Sequence, residues 1–247
     1  MDRLTAREGR EVRGSDGTDR RPDDRRHRNP DSGSEPTGAM PPERNTVRRA
    51  WDAVSEDYAA NRQADGPDTA LIDELIADLS PGASVLDIGC GDGKRTLSNL
   101  AEESGETDAI GLDFSRRGLE LARGNAPDAR LVQADMTAIP LASDSVDAIM
   151  AYHAVFHVPR AEHPSVYREF RRVLRPGGVL LMTVGTSRHE GTRRNWLNSG
   201  HPMFWSTPGE NETDKQLREA GFEGSEKRVV DDPLGSEALF VFTEARS

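Results

Sequence analysis

Val85-Leu86-Asp87-Ile88-Gly89-Cys90-Gly91-Asp92-Gly93-Lys94 is an apolar run that breaks into three alternating glycines. Leu97 and Leu100 follow at helical spacing, so the segment reads as strand, tight turn and helix. Glycine lets the backbone turn sharply and lets a ligand approach the chain without a Cβ in the way. The spacing restricts the ligand. A triphosphate-binding loop of the G-x-x-x-x-G-K-[ST] type needs glycine at Ile88 and a hydroxyl residue at Arg95, and it finds neither. A dinucleotide fingerprint, G-x-G-x-x-G from Gly89, needs glycine where Lys94 stands. What remains is G-x-G-x-G behind a strand ending Asp-Ile-Gly.

Outward from that stretch the chain alternates. Strand-like runs lie at Ser84–Ile88, 109–113, 130–134, Val146–Ala151, 178–184, 227–230 and 238–243. Helical patterns fall between most of them, among them Leu119 with Leu121, and Val166, Tyr167, Phe170, Val173 and Leu174. Such alternation predicts an α/β fold, a doubly wound and mainly parallel sheet with helices on both faces. In sheets of this kind ligands bind outside the carboxyl ends of the strands, where strand order reverses. Residues 186–208 read as an irregular, aromatic-rich insertion carrying Trp196, Phe204 and Trp205, either the roof of an acceptor pocket or packing over a helix.

Upstream, Val47, Trp51, Val54 and Tyr58 form one amphipathic helix, and Leu71, Ile72, Leu75, Ile76 and Leu79 a second that starts at an Asp68 N-cap. These give N-terminal lid helices within 46–80 of a domain spanning 46–247. Residues 1–45 are Arg, Asp, Gly, Ser and Pro with almost no large apolar side chains. Such a segment cannot bury enough surface to offset the entropy of ordering, so it is expected to be a disordered tail, with Met40 as an alternative start.

The glycine loop resembles the first motif of class I S-adenosylmethionine-dependent methyltransferases of the type 11/25 kind. Gly111-Leu112-Asp113-Phe114-Ser115 resembles that family's second strand, and Gln133-Ala134-Asp135-Met136 its third. Asp144 to Ala148, Arg172 to Gly178 and Ala220-Gly221-Phe222 are similar to later motifs in the same order. The resemblance covers roughly four fifths of the chain, from about Trp51 to Thr243. It implies a Rossmann-like seven-stranded sheet whose last strand is antiparallel, and S-adenosyl-L-methionine as cofactor. It also implies that Asp113 and Phe114 contact the ribose end, that Asp135 and Met136 contact the adenine, and that Gly89, Cys90, Gly91 and Gly93 form the loop with Asp87 supporting it. Tyr58, Arg62 and Tyr152 would complete the cofactor site.

The chemistry is expected just after the fourth strand, where Tyr152-His153-Ala154-Val155-Phe156-His157 places two histidines four residues apart. Imidazole titrates near neutral pH, so His153 and His157 are candidates for base or acceptor contact, and His157 has a structural alternative. A metal site would lack a further ligand nearby except His163, so no metal is expected. The segment carries no Asn-Pro-Pro-Tyr or Asp-Pro-Pro-Tyr, which the resemblance associates with methylation of planar amino groups. A small-molecule acceptor is therefore expected. The competing readings are an NAD(P)-dependent oxidoreductase and a non-catalytic protein that keeps the cofactor fold.

Charge bounds the partners. The 247 residues carry 43 Asp+Glu against 32 Lys+Arg, a net charge of -11. Residues 1–45 hold ten of each sign, so the whole excess lies in 46–247. Nucleic-acid affinity needs concentrated Lys and Arg, so no nucleic-acid partner is expected. No run approaches the length of a membrane span, and the first residues lead into charge, which predicts a cytoplasmic protein without a membrane partner. Only 3 of the basic residues are Lys, which with the acid excess suggests a halophilic, haloarchaeal-type cytoplasm; a GC-rich genome would also favour Arg. The single cysteine, Cys90, excludes an internal disulfide. The oligomeric state has no signature.

Overall fold

A computed structural model of the chain describes residues 44–61, 66–104, 107–231 and 237–247. The expected tail, Met40 and Arg62 lie outside the described residues. Helix α1 (Arg44–Asn61) begins two residues before Thr46 and is followed by α2 (Thr69–Ala77). Then come β1 (Ser84–Ile88), α3 (Leu97–Ser104), β2 (Asp108–Asp113), α4 (Arg116–Asn125), β3 (Arg130–Gln133), β4 (Val146–Ala151), α5 (His163–Val173) and β5 (Leu174–Val184). A hairpin of β6 (His189–Arg193) and β7 (Met203–Thr207) precedes α6 (Glu210–Ala220), β8 (Phe222–Asp231) and β9 (Glu237–Ala245).

Seven strands form one sheet in the order β3-β2-β1-β4-β5-β9-β8. β1 to β5 run parallel, and β9, the last strand, runs antiparallel between β5 and β8. The fold is the expected Rossmann-like α/β sheet. Strand order reverses between β1 and β4, whose register pairs Leu86 with Ile149 and Asp87 with Met150. The two-residue period of the strands splits the core. Leu86, Ile88 and Ile149 pack on the α5 and α6 side, while Val85, Ala148 and Met150 pack on the side of α2, α3 and α4. Among the described residues no helix is long and apolar enough to cross a membrane.

Two expectations need correcting. Residues 186–208 are not irregular: β6 and β7 pair antiparallel, with Gly191 opposite Trp205. Every residue of β6 except Gly191 is exposed, so the strand lacks the apolar alternation that marks one in sequence. Asp68 stands at the start of α2 but has helical backbone angles and makes no side-chain cap. Its carboxylate instead receives Arg95 from just beyond the glycine loop, with Nε at 3.0 Å and a terminal nitrogen on the other oxygen. Both side chains are buried, Arg95 at 4% exposure and Asp68 at 2%.

This pair fastens α2 to the segment that leaves the loop, and it predicts a stability effect. Removing one member of a buried ion pair strands the other charge, at a cost of about 3–5 kcal/mol. Asp68→Ala is therefore expected to lower the unfolding free energy by that order in urea titrations followed by circular dichroism. A loss below about 1 kcal/mol would show that the pair does not anchor the loop.

Candidate functional site

The three loop glycines have φ of +72°, +55° and +69° at Gly89, Gly91 and Gly93, the region that only glycine enters at little cost. Backbone N–H groups of Gly89 and Cys90 donate to the Leu112 carbonyl at 2.7 and 3.2 Å. The Asp113 carboxylate accepts from the N–H of Gly91 at 2.9 Å and of Ser115 at 2.7 Å. A Cβ on Gly89 would stand 2.5 Å from the Ala154 Cβ, so the loop and the segment after β4 touch through their smallest side chains.

Around this loop lies a cavity of about 880 Å3, its open mouth included. Of the expected residues, Tyr58, Gly89, Gly91, Asp113, Phe114, Asp135, Met136, Tyr152, His153 and His157 line it together. Three others support it without lining it. Asp87 is buried beneath the loop and accepts from the Thr96 hydroxyl. Gly93 packs against Ala122. Cys90 is buried beside Gly111, and burial followed by the negative charges of Asp113, Asp87 and Asp92 pushes its thiol up, which makes it unreactive. Arg62 is not described.

The electrostatics of the cavity differ from end to end. Burial pushes the Asp113 carboxyl up to about 6, against the opposing pull of its backbone donors. Asp135 accepts from the Thr137 N–H at 2.9 Å and hydroxyl at 2.7 Å, and from Arg44 at 3.1 Å. Arg44 also pairs with Glu162. Asp92 is 7% exposed and lines the cavity, and its Oδ2 has no hydrogen-bond partner among the described residues.

Sequence reasoning missed Arg44, Trp51, Ser55 and Asp92 as lining residues. Trp51 was findable, because it lies seven residues before Tyr58 and shares its helix face. Asp92 was findable too, standing between two loop glycines, whereas Arg44 and Ser55 have no local signal. Asp52 was missed as well: it accepts from the Ser115 hydroxyl at 2.8 Å and the Arg117 N–H at 3.3 Å, docking α1 on the start of α4. Glu56 and Arg117 form an ion pair beside it.

The histidines separate into different roles. His153 has φ +52°, rare outside glycine, and its N–H donates to Thr183 Oγ1 at 2.9 Å. The Nδ1 of His157 lies 2.9 Å from the Phe204 carbonyl oxygen. A carbonyl only accepts, so Nδ1 carries the proton and Nε2 keeps the lone pair. Burial lowers the pKa of His157 to about 4. His163 is structural: its Nε2–H donates to the Val158 carbonyl at 3.0 Å, its Nδ1 accepts from Tyr167 at 3.3 Å, and burial lowers it to about 4 also. Among the described residues no group of three or more potential ligands could hold a metal.

The three residues expected at the acceptor do not line the cavity; they stand one ring behind its wall. Trp196 meets Trp51 at 5.0 Å and Tyr58 at 5.7 Å, and Trp205 meets His157 at 5.7 Å. Phe204 is buried with Met203 against Val47, Ala50 and Val54 of α1. Roof and helix packing are thus one structure, in which the hairpin backs α1 and α1 faces the cavity.

Histidines held neutral by burial bind fewer protons in the folded than in the unfolded state. Their contribution to stability is therefore complete above about pH 6.5 and is lost as pH falls towards 4, on the order of a few kcal/mol for the pair. Side-chain NMR is expected to show His157 and His163 untitrated from pH 8 down to 5. A midpoint near 6.5 for either would contradict its buried placement.

Residues 85–178 match the family model described as a methyltransferase domain. The chain is 41% identical over 111 residues to methyltransferase GfsG of Streptomyces halstedii, covering 42% of this chain and 38% of that one. It spans well under two thirds of the length of the curated relatives it matches. A Burkholderia thailandensis 1,6-didemethyltoxoflavin-N1-methyltransferase, solved with its substrate and S-adenosylhomocysteine, superposes with a TM-score of 0.64 at 21% identity, covering 86% of this chain and 94% of that one. The cyclase SpnF superposes equally well, with a TM-score of 0.64 at 18% identity over 84% of this chain and 98% of that one. Residues 85–178 thus match a methyltransferase-domain model, and the chain has the Rossmann-like fold that these structures share.

Proposed function

We propose that the chain is an S-adenosylmethionine-dependent methyltransferase that moves a methyl group to a small-molecule acceptor. One observation carries the reading: a single cavity at the reversal of strand order brings the glycine loop, Asp113 and Asp135 together with two histidines. The matched domain and the solved relative holding S-adenosylhomocysteine support it. So does the chemistry of the donors. The buried Asp92 oxygen, without a hydrogen-bond partner among the described residues, suits a cationic group such as the cofactor's α-ammonium. Asp113 keeps acceptor capacity beyond its two backbone donors, which suits ribose hydroxyls. We place the enzyme in the cytoplasm, with the acid excess of 46–247 as a solvated surface suited to high salt. That excess opposes binding to phosphate backbones.

The bound cofactor supplies an electrophilic methyl group. The chain's own residues do the rest. Asp92, Asp113 and Asp135 orient the ligand, and α1, carrying Trp51, Ser55 and Tyr58, covers the cavity and excludes water. S-adenosylmethionine held by Asp92, Asp113 and Asp135 would supply the methyl group and retain the bond's electron pair on its sulfur, and His157 Nε2 would take the proton that the acceptor loses. The low basicity of His157 suits an acceptor whose proton becomes strongly acidic once methyl bonding begins. His153, on its strained backbone, contacts the acceptor.

Calorimetry tests the cofactor site. S-adenosylmethionine is expected to bind, Tyr58→Ala to weaken it about tenfold, and Asp113→Ala about tenfold to a hundredfold. Affinity should fall below about pH 6, where Asp113 takes up a proton and its carboxylate no longer accepts from two hydroxyls, and Asp113→Asn should flatten that dependence. Thermal stabilisation by nicotinamide dinucleotides alone would overturn the reading. Once an acceptor is in hand, His157→Phe should leave cofactor affinity unchanged and slow turnover by about 10²–10⁴-fold; full turnover would remove His157 as the base.

A further inference from the structure

The cavity is not uniform across the sheet. The strand order β3-β2-β1-β4 sets Asp135 and Asp113, at the ends of β3 and β2, on one side of the glycine loop, and His153 and His157, after β4, on the other. Neighbouring strands lie about 4.8 Å apart, so β4 runs roughly 10 Å from β2. The wall over β4 is made of rings. Trp51 stands edge to face with Tyr58 at 5.2 Å and with His157 at 5.3 Å, and all three line the cavity. From behind, Trp196 buttresses Trp51 at 5.0 Å and Trp205 buttresses His157 at 5.7 Å.

Two polar atoms of this wall have their protons spent elsewhere. Ser55 is buried one helical turn from Trp51 and donates its hydroxyl to the Trp51 carbonyl at 2.6 Å, so its oxygen meets a ligand as an acceptor. His157 spends its Nδ1 proton on the Phe204 carbonyl, and its Nε2 has no partner among the described residues. Charge acts in the same direction. Three carboxylates line the cavity, those of Asp92, Asp113 and Asp135, against one guanidinium, that of Arg44, which Asp135 and Glu162 already engage. An anionic substrate would find no unengaged Lys or Arg among the lining residues, and would give up its hydration beside like charges.

We propose that the methyl acceptor is an aromatic compound that presents an O–H or N–H and carries no carboxylate or phosphate, its ring packed against Trp51 and its donor hydrogen-bonded to His157 Nε2. This rests on the methyltransferase reading and adds the substrate class. Trp51 is then a specificity-determining residue, because it supplies ring surface beside the imidazole that takes the hydrogen bond.

Three probes separate the contributions: p-cresol, p-xylene, in which a methyl replaces the hydroxyl, and p-toluate, in which a carboxylate replaces it. They are titrated by calorimetry at pH 8, where Asp113 is charged, with S-adenosylhomocysteine present so that no methyl is transferred. p-Cresol is expected to bind at least about tenfold tighter than either of the others. In protein carrying 15N-labelled histidine, p-cresol should move the His157 Nε2 resonance upfield as that nitrogen accepts a hydrogen bond, p-xylene should leave it in place, and His163 should stay fixed under both. His157→Phe should reduce the preference for p-cresol over p-xylene to less than about twofold. Trp51→Ala should weaken both by about tenfold. Equal affinity for p-xylene or p-toluate, no binding of p-cresol, or an unmoved Nε2 resonance in the unsubstituted protein would each overturn the proposal, whether or not the variants fold. Failure of S-adenosylmethionine and S-adenosylhomocysteine to bind would strike the methyltransferase reading instead, because the order of the three probes on the cofactor-free protein reads the substrate class separately.

Discussion

The carboxylate of Asp113 ties the glycine loop, 22 residues earlier, to the start of α4. It receives the loop after β1 through Gly91 and the start of α4 through Ser115, while the neighbouring Leu112 carbonyl receives Gly89 and Cys90. Each of these donors is a backbone N–H that burial would otherwise leave unsatisfied. The glycine loop can hold left-handed backbone angles because these bonds over-determine its path. Removing the carboxylate would free the loop, the α4 entry and the wall of the cavity together.

The same acid explains why α1 sits where it does. Ser115 donates its hydroxyl to Asp52 and its N–H to Asp113, so one residue links the covering helix to the Asp113 end of the cavity. At the other end Arg44 reaches Asp135 and Glu162. Helix α1 is thus held at its first residue and at its middle by polar side chains of the cavity wall, Asp135 and Ser115. Its apolar face lies against the hairpin through Val47, Ala50 and Val54. Covering helix and hairpin therefore form one unit.

Much of the sheet was legible because burial writes itself into the strands. β1, β2 and β4 are apolar on both faces and bounded by turn residues, and their ends match the sequence reading closely. The glycine loop and its two following acids were legible for the same local reason. What was hidden shares a different cause. β6 is solvated on nearly all sides, β8 is largely exposed, and Asp68, Asp52 and Arg44 find partners 27, 63 and 91 positions away. No pattern within a window records such pairings. The two histidines four apart were visible as a pair, but their separate roles depend on Thr183 and Phe204 far along the chain.

The contact between Gly89 and Ala154 reaches beyond packing. It sets the separation between the loop that would cradle a cofactor and the residue that follows His153, and no rotamer can adjust it because neither position has one. Both positions are thereby locked to the smallest residues for as long as the chemistry depends on that spacing. In the proposed enzyme, substitutions in α1 would alter what the cavity accepts while the spacing between the glycine loop and the segment after β4 stays constant.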